Sequence, residues 1–581
     1  MKTAVTLRAV PDAADETAGA ARGRMRSAVR RLVWGALWNA RGALWRIWVV
    51  TCGVAGFKRA MAGRRIAASG VRRVSVRRAA ALSAVLVGAG TALGFVRDLL
   101  MAHTFGAGRD TDAFLIGWMI PETASPLLIE DAMALLAVPL VTRALRGAGS
   151  ARPLAAAVLP RLVAVLAVVA GALAVGAPLL VAGVAPGLAD PHDAVRCVRI
   201  AAVTVVMFGV AGFMSATLRA HGRFGPPAAI YLAYNAGIVA SIVLLQHRWG
   251  VMSAAAGVAV GSVLMVAVQA PAFARCLGPA RRIAPDGPPV ELLTAAALLP
   301  VVAFTLARQA QVFVERFLGS GLAAGSISEL NYAQKVAQVP MVLSLLVVTV
   351  TFPRLARASA DADVRRFRDG VERDVLAVSA LILAATAFLV ACGEDVVTVL
   401  FRHGAFGAAD TEGTARIMRV YAFGLWGQTM VGVAARAFFA RRGPMWRPAL
   451  ATALGLALTV AVGALGVASF GAPALAAANA AGITAGALVM LAGVRSRVVP
   501  IRVRVLGAGL ARLGLAAGAA GAAGLAVRHL LHPALPPVAA LPVCGLAVAG
   551  VYAALLMLPP AAGIRPLAPV VPFARRPEGP R

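Results

Sequence analysis

Residues 448–468 read PALATALGLALTVAVGALGVA, a run of 21 residues without one charged side chain. Coiled as a helix, such a run is long enough to cross a hydrocarbon core about 30 Å thick. Similar runs, built mainly from Ala, Val, Leu and Gly, recur from about residue 79 to residue 558. Because they do not alternate polar and apolar residues with a period of two, they do not fit the strands of a membrane β-barrel. The sequence therefore predicts an all-α polytopic membrane protein.

The composition of the whole chain agrees with that prediction. Of 581 residues, 60% are hydrophobic and only 14% are charged, whereas an ordinary soluble domain has about 25% charged residues. A soluble enzyme is therefore excluded. In a soluble chain the net charge of +32 would suggest a nucleic-acid partner. Here the basic residues cluster in short loops between apolar runs, as the positive-inside rule describes, and we expect no nucleic acid.

We expect about fourteen membrane-spanning helices. Their approximate bounds are 79–102, 112–141, 154–183, 197–218, 226–246, 251–274, 291–318, 327–353, 374–401, 413–440, 448–468, 472–494, 505–527 and 537–558. With an even number of spans, both termini lie on one side of the membrane. The loops on that side hold 21 basic residues and the opposite loops hold six, which places the N- and C-termini in the cytoplasm.

Two terminal segments lie outside the predicted spans. Residues 1–78 contain 17 Lys and Arg against three carboxylates and no long uncharged run. We therefore expect a basic cytoplasmic N-terminal extension, and neither a signal peptide nor a span. Residues 559–581 are rich in Pro and Arg, which predicts a disordered cytoplasmic tail.

Catalytic and metal chemistry leave little trace in the sequence. The five cysteines are scattered, with no C-x-x-C pair and no histidine at ligand spacing, so neither a disulfide framework nor a metal site is indicated. A membrane glycosyl- or phosphotransferase would need carboxylates at a loop edge to hold a divalent ion. The loop pair Asp361 and Asp363 lies among arginines and is typical of a solvated face. We expect no catalytic residue, no metal and no cofactor.

Ionisable side chains inside the spans are the functional candidates, because they are costly in lipid and usually face a bundle interior or a water-filled cavity. The first span ends with GFVRD at 94–98, and the second begins with TDAF at 111–114 and then carries Pro121, Glu122 and Glu130. We expect the second span to line a hydrated cleft and to be broken at Pro121.

A second polar group lies in the seventh and eighth spans. Arg308, Gln311 and Glu315 share one helix face, and Lys335 lies deep in the next span. Such cations in a central cleft would compensate the phosphate charge of an anionic, partly lipidic substrate, and carboxylates would balance them in the empty state. Arg316 fits either an interfacial position or a local ion pair, and Arg436, near a span end, is predicted to be interfacial.

Short motifs occur in order along the chain and resemble a known family. They are GFVRD at 94–98, FGAG at 105–108, TDAF at 111–114, LRAHGRF at 218–224 with Asn235, SGL at 320–322, GSIS at 325–328, LNYA at 330–333, FRHGAF at 401–406 with Asp410 and Thr411, and RAFFA at 436–440. Together they resemble the MurJ/MviN family of lipid II flippases over about residues 80–450. The predicted spans extend the similarity to residue 558.

The resemblance implies a fold of the multidrug/oligosaccharidyl-lipid/polysaccharide exporter superfamily. Residues 79–274 and 291–494 would form two six-helix lobes, and residues 505–558 two additional helices that make a lipid-tail groove. It also implies alternating access, in which the lobes rock about a cationic cavity and carry lipid II from the inner to the outer leaflet of the bacterial plasma membrane. The implied partners are a lipid-linked glycan of the undecaprenyl-pyrophosphate type, the lipid bilayer, and a coupling ion or the membrane potential.

The resemblance also bears on single residues. Arg97 and Asp112 match a cavity arginine and the accompanying acid of the family, and Lys335 stands where the family usually has arginine. The predicted substrate-binding residues are Arg97, Arg308, Lys335 and Asp112, and the predicted gating or charge-balancing residues are Asp98, Glu130 and Glu315. Asp112, next to Thr111 at the start of a span, has the alternative role of a helix cap.

Departures from the family pattern leave other functions open. Thr91 and the pair Ser125–Pro126 stand where the family has a Ser-Arg and an Arg-Arg pair. Lys335 keeps the charge of arginine but lacks the planar fork that grips phosphate. The alternatives are a flippase for another polyprenyl-linked glycan, of the exopolysaccharide type, and a transport-inactive membrane scaffold.

Overall fold

The computed structural model describes residues 70–148, 150–277, 295–361, 363–439, 446–531 and 535–558. The chain divides into two compact units, residues 1–76 and 77–581, and the second contains every candidate site residue. Most of the predicted N-terminal extension and all of the predicted C-terminal tail lie outside the described residues.

In the first half of the described chain every regular element is a helix. Its helices are α1 (Gly70–Phe105), α2 (Arg109–Ser125), α3 (Ala132–Ala148), α4 (Arg152–Val175), α5 (Ala177–Val184), α6 (His192–Ala201), α7 (Val203–Ala220), α8 (Gly225–Ala228), α9 (Ile230–Trp249) and α10 (Met252–Leu277). A π-helical stretch, Pro126–Asp131, continues α2 into α3.

The second half of the described chain is also built of helices. Its helices are α11 (Ala295–Gly319), α12 (Ser326–Ala360), α13 (Val364–Phe401), α14 (Ala408–Phe439), α15 (Trp446–Phe470), α16 (Ala472–Gly493), α17 (Val503–Leu531) and α18 (Pro537–Met557). A second π-helical stretch, Val494–Val498, extends α16.

Helical segments in the described ranges coincide with all fourteen predicted spans. Several spans consist of two consecutive helices, as in α4 with α5 and α6 with α7. Among the described residues, ten helical segments are long and apolar enough to cross a membrane by length and composition alone. The other four spans are the second, seventh, eighth and tenth, and each of them contributes polar side chains to the cavity described below.

The predicted break at Pro121 is wrong. Pro121 lies inside the continuous helix α2, and it is buried. A proline inside a membrane helix removes one backbone hydrogen bond, which neighbouring helices and local adjustments can compensate. The helical geometry changes only at Pro126, where the π-helical stretch begins.

The acidic loop pair includes a helix cap. Asp363 is the N-cap residue of α13, and its carboxylate accepts a hydrogen bond from the backbone N–H of Arg366 at 2.9 Å. This bond satisfies one of the free amide groups at the start of the helix.

The buried apolar side chains form a separate core in each half of the chain. The main core of the first half draws on residues 101–265, with Phe208 and Ile238 among its members. The core of the second half draws on residues 304–552. Only one buried residue of each half joins the core of the other in the described chain: Ala102 joins the second core and Ile327 the first. The halves are therefore two lobes, as predicted.

The last two helices are attached to the second lobe. Arg502, just before α17, hydrogen-bonds Glu372 of α13 at 2.9 Å through Nε. These bonds raise the pKa of the Arg502 guanidinium above its ordinary value. Near the other end of α17, Arg528 Nε donates to Asp395 Oδ2 of α13 at 2.8 Å. Tyr552 of α18 donates to the carbonyl of Ala380 at 2.9 Å, so α13 holds both helices.

Candidate substrate cavity

A cavity of about 1020 Å³ lies where the second lobe, which supplies most of the lining residues, meets Glu122 and Glu130 of the first lobe. The first lobe contributes α2 and the π-helical stretch, and the second contributes α11, α12, α14, α15 and α16. The charged and amide side chains of its wall are Glu122, Glu130, Arg308, Gln309, Gln311, Gln334, Lys335, Gln338, Gln428, Arg436 and Asn479. Three cations against two carboxylates give the described wall an excess of positive charge. Such a wall favours an anionic ligand.

The cations come from three different helices of the second lobe. Arg308 of α11 and Lys335 of α12 line the cavity. The guanidinium carbon of Arg308 lies 5.8 Å from the ring centre of Phe304, within the range of a cation–π contact. Arg436 of α14, which the sequence places at the interface, also lines the cavity. Because Arg436 lies near the end of a span, the sequence did not indicate that it lines the cavity.

Glu122 connects the two lobes at the cavity wall. Its Oε1 lies 3.7 Å from Nζ of Lys335, and its Oε2 lies 3.8 Å from a terminal nitrogen of Arg316. Gln309 Nε2 donates a hydrogen bond to the backbone carbonyl of Glu122 at 2.6 Å. The sequence assigned no role to Glu122 beyond lining the cleft. The only indication in the sequence of this contact was opposite charge: Glu122 is an acid in the second span, and cations lie in spans of the other lobe.

Arg97 and Asp98 form a local ion pair within the first lobe. Arg97 is buried, and its Nε and a terminal nitrogen donate to Asp98 Oδ1 at 2.9 and 2.6 Å. Another nitrogen donates to Asn235 Oδ1 at 3.1 Å, and the guanidinium lies 4.3 Å from the ring centre of Trp118. Neither Arg97 nor Asp98 belongs to the described cavity wall. In this conformation Arg97 joins α1, α2 and α9.

Asp112 caps a helix of the other lobe. Its Oδ2 accepts the backbone N–H of Gly325 and its Oδ1 accepts the backbone N–H of Ser328, both at 2.7 Å. The hydroxyl of Ser328 donates to Oδ1 as well. The capping alternative is therefore the geometry found here, but the capped helix is α12 and not α2. A carboxylate at a helix N-terminus is favoured by hydrogen bonding and by the helix dipole.

Further contacts join the lobes around Asp112. We call this region the sealed end, and it consists of residues 103–112, 187, 320–328 and 405. The backbone N–H of Ala405 donates to the carbonyl of His103 at 2.9 Å. Gly106 has φ +68°, and a Cβ there would lie 2.7 Å from the carbonyl oxygen of Ala405. Gly325 has φ +94°, and a Cβ there would lie 2.7 Å from the carbonyl oxygen of Ala107. Glycine thus allows the two backbones to meet.

The remaining predicted carboxylates occupy different environments. Glu130 lines the cavity and accepts a hydrogen bond from the hydroxyl of Tyr231 at 2.6 Å, and that hydroxyl also contacts Ser125 at 2.9 Å. Glu315 is buried behind the wall, where the amides of Asn479 and Gln311 donate to its Oε1. The three residues of the predicted polar helix face therefore have different positions. Arg308 and Gln311 face the cavity. Glu315 lies behind the wall and hydrogen-bonds two of its residues.

Comparison with known proteins identifies the family. The family model of the lipid II flippase MurJ matches residues 101–543. The chain belongs to the MurJ family. Among curated members, the lipid II flippase MurJ of Burkholderia cenocepacia is 27% identical over 366 residues, which cover 60% of this chain and 70% of that protein. The probable lipid II flippase MurJ of Rhizobium meliloti is 28% identical over 393 residues, covering 63% and 71%.

Solved structures confirm the MurJ-type fold. A lipid II flippase MurJ in an inward closed conformation matches with a TM-score of 0.67 and 18% identity, over 82% of this chain and 97% of that one. A transporter of the MOP superfamily from Pyrococcus furiosus matches with a TM-score of 0.54 and 14% identity, over 73% and 96%. The predicted family and the predicted fold class are thus confirmed, and the chain is a multi-pass membrane protein.

Proposed function

We propose that the protein carries lipid II from the inner to the outer leaflet of the bacterial plasma membrane by alternating access. The observation that carries this proposal is the cavity between the lobes, lined by Arg308, Lys335 and Arg436, in a chain of the MurJ family. A pyrophosphate group is an anion, and cations in a partly dehydrated cavity compensate its charge more strongly than they would in water. The polyprenyl chain of such a substrate remains in lipid while the head group crosses.

The sealed end faces outward in this proposal. Its loops belong to the set with six basic residues, which the positive-inside rule assigns to the outside, so both termini lie in the cytoplasm. The cavity then takes its cargo from the cytoplasmic leaflet. Rocking of the lobes separates the backbones at Gly106 and Gly325 and closes the opposite end.

The membrane potential or an ion gradient drives the cycle. One elementary charge that moves across the membrane gains about 2.3 kcal/mol per 100 mV. The excess of cations over carboxylates on the described cavity wall supports a dependence of the cycle on that potential.

Complementation in a bacterium tests the proposed function. The chain is expressed in cells whose own essential lipid II flippase can be shut off, and growth and the lipid II exposed on the outer leaflet are measured. We expect rescue. Failure at normal membrane levels would favour the flipping of another polyprenyl-linked glycan or the scaffold. A truncation that removes residues 1–70 separates the scaffold from the flippase, because only the flippase would keep its function without the basic extension.

Two single substitutions test the assigned residues in the same cells. Lys335→Ala removes a cavity cation and Arg97→Ala leaves Asp98 unpaired, and each is expected to abolish rescue at unchanged membrane levels. Lys335→Arg keeps the charge and is expected to retain rescue. Arg161→Ala, at an exposed position of α4, is the control. Normal rescue by both alanine variants would show that the residue assignment is wrong.

A further inference from the structure

Arg316 is a cation that the cavity does not reach. Its side chain is 3% exposed, and it is not part of the described cavity wall. The carboxylate of Glu122, which is on that wall, lies 3.8 Å from Arg316 and 3.7 Å from Lys335. Glu122 therefore lies between a cation that faces the cavity and a cation that is hidden behind it.

The contacts among these three groups are incomplete. Distances of 3.7 and 3.8 Å are attractive for opposite charges but exceed the usual 2.7–3.2 Å of an N–H···O hydrogen bond. Oε2 of Glu122 and Nε of Arg316 are both buried and have no hydrogen bond. A buried atom of a charged group that lacks a hydrogen bond is costly, so this pair stabilises the empty state less than a pair with all its hydrogen bonds would.

The carboxylate of Glu122 is also less restrained than the backbone of the same residue. The carbonyl of Glu122 is fixed by Gln309 at 2.6 Å, whereas the side chain is 18% exposed to the cavity. Rotation about the side-chain bonds can therefore move the carboxylate without moving α2.

We propose that the carboxylate of Glu122 occupies a phosphate subsite formed by Arg316 and Lys335, and that a phosphate group of a lipid-linked pyrophosphate displaces it. This proposal rests on the proposed function and names the residues that receive the anion. Displacement uncovers Arg316, whose guanidinium can hold two phosphate oxygens at once, which the ammonium of Lys335 cannot do. The hidden arginine thus supplies the planar fork that position 335 lacks.

Displacement also links loading to movement. Glu122 belongs to the first lobe, and Arg316 and Lys335 belong to the second, so the two ion pairs hold the lobes together. A bound phosphate takes over both cations and removes this attraction between the lobes. The loaded cavity is therefore easier to open at the sealed end than the empty one.

A binding experiment on the purified full-length protein in lipid nanodiscs tests the subsite. The probe is undecaprenyl pyrophosphate, and undecaprenol, which has the same chain without phosphate, is the reference ligand. We expect Glu122→Gln to bind undecaprenyl pyrophosphate about tenfold more tightly than the wild type, with undecaprenol unchanged. Glu412→Gln removes the same charge at an exposed position of α14 and is expected to change neither affinity. Unchanged or weaker binding by Glu122→Gln would overturn the proposal.

A second variant tests the role of Arg316. Arg316→Gln alone leaves a buried carboxylate without its partner and risks misfolding, whereas Glu122→Gln with Arg316→Gln removes both charges together. We expect this double variant to lose the tenfold gain of Glu122→Gln. A double variant that binds as tightly as Glu122→Gln would show that Arg316 receives no phosphate.

The wild-type measurement separates the two proposals. If the wild type binds undecaprenyl pyrophosphate no better than undecaprenol, the anion cavity of the proposed function is wrong, and the subsite is wrong with it. If the wild type distinguishes the two ligands and Glu122→Gln changes nothing, the subsite alone is wrong.

Discussion

Asp112 is a single side chain that joins two lobes. Its oxygens accept hydrogen bonds from the backbone of Gly325 and from the backbone and hydroxyl of Ser328. Hydrogen bonds to a charged group contribute more than those between neutral groups, about 1.5–3 kcal/mol each. Because donor and acceptor lie in different lobes, this free energy stabilises the sealed state and neither lobe alone.

Replacing Asp112 by Asn is expected to open the sealed end. The amide retains one acceptor oxygen and loses the charge, which weakens the closed state by about 1–3 kcal/mol. The reporter is a single cysteine at Ala102, which is fully buried in the core of the second lobe, in a chain whose native cysteines are replaced. A membrane-impermeant maleimide is expected to label this cysteine about tenfold faster in the Asp112→Asn variant.

The control for this experiment is Asp110→Asn, an exposed acid in the same first turn of α2. It is expected to leave the labelling rate unchanged. Equal labelling of the Asp112→Asn variant and its parent would show that the cap does not hold the lobes together.

The candidate site residues differ in how far the sequence predicts their positions. The positions of Arg308 and Lys335 on the cavity wall were predictable, because each lies deep in a span where an unpaired charge is costly. The pairing of Glu122 with Arg316 was not, because the two residues lie in different lobes and only the folded chain brings them together. For the same reason the alternative role of Asp112, a cap at the start of its own span, did not indicate that the capped helix is α12.

Among the elements, the π-helical stretch shows how one helix adapts to another. The carbonyl oxygen of Leu128, inside the stretch, lies so close to Gly212 of α7 that a Cβ at Gly212 would be only 2.0 Å away. The stretch brings Glu130 to the cavity wall. The sequence predicts irregular geometry in this span at Pro121 and not at Pro126, because proline is a local signal and the contact with Gly212 is not.

The attachment of α17 to α13 leads to a prediction about stability. Arg528→Gln leaves Asp395, whose side chain is 6% exposed, without its cation, and also removes the bond to Glu394. We expect a loss of about 1–3 kcal/mol and a lower melting temperature of the purified protein in detergent. Arg416→Gln breaks an ion pair with Glu412 in which both partners are more than half exposed, and it is expected to cost less than about 0.5 kcal/mol. Similar melting temperatures for the two variants would contradict this account.

For the whole molecule, the sequence predicted the number and placement of the spans because hydrophobic length is a local property. It could not show that the second, seventh, eighth and tenth spans meet around one cavity. The positions of Ala102 and Ile327 at the boundary between the lobes could not be predicted either. Nothing in their local sequence indicates that each packs into the core of the other lobe.

The orientation of the molecule is open to a direct test. Ala189 and Arg223 are exposed residues in loops on opposite sides of the predicted topology. In cells, a membrane-impermeant thiol reagent is expected to label Ala189→Cys and not Arg223→Cys, because the loops with few basic residues face outward. In broken cells both are expected to react. Labelling of Arg223→Cys in intact cells would reverse the orientation and place the sealed end in the cytoplasm.

The backbone closure at Gly106 and Gly325 offers a tool for trapping conformations. Each glycine faces a carbonyl oxygen of the opposite lobe with no room for a methyl group. Each also has a backbone conformation that alanine adopts only under strain. An alanine at either position would add one carbon atom that clashes with the backbone of the other lobe. This clash would exclude the sealed state while the cavity cations remain intact. Such a variant would let a form that is open at the sealed end be captured for structure determination without inhibitor or cross-link.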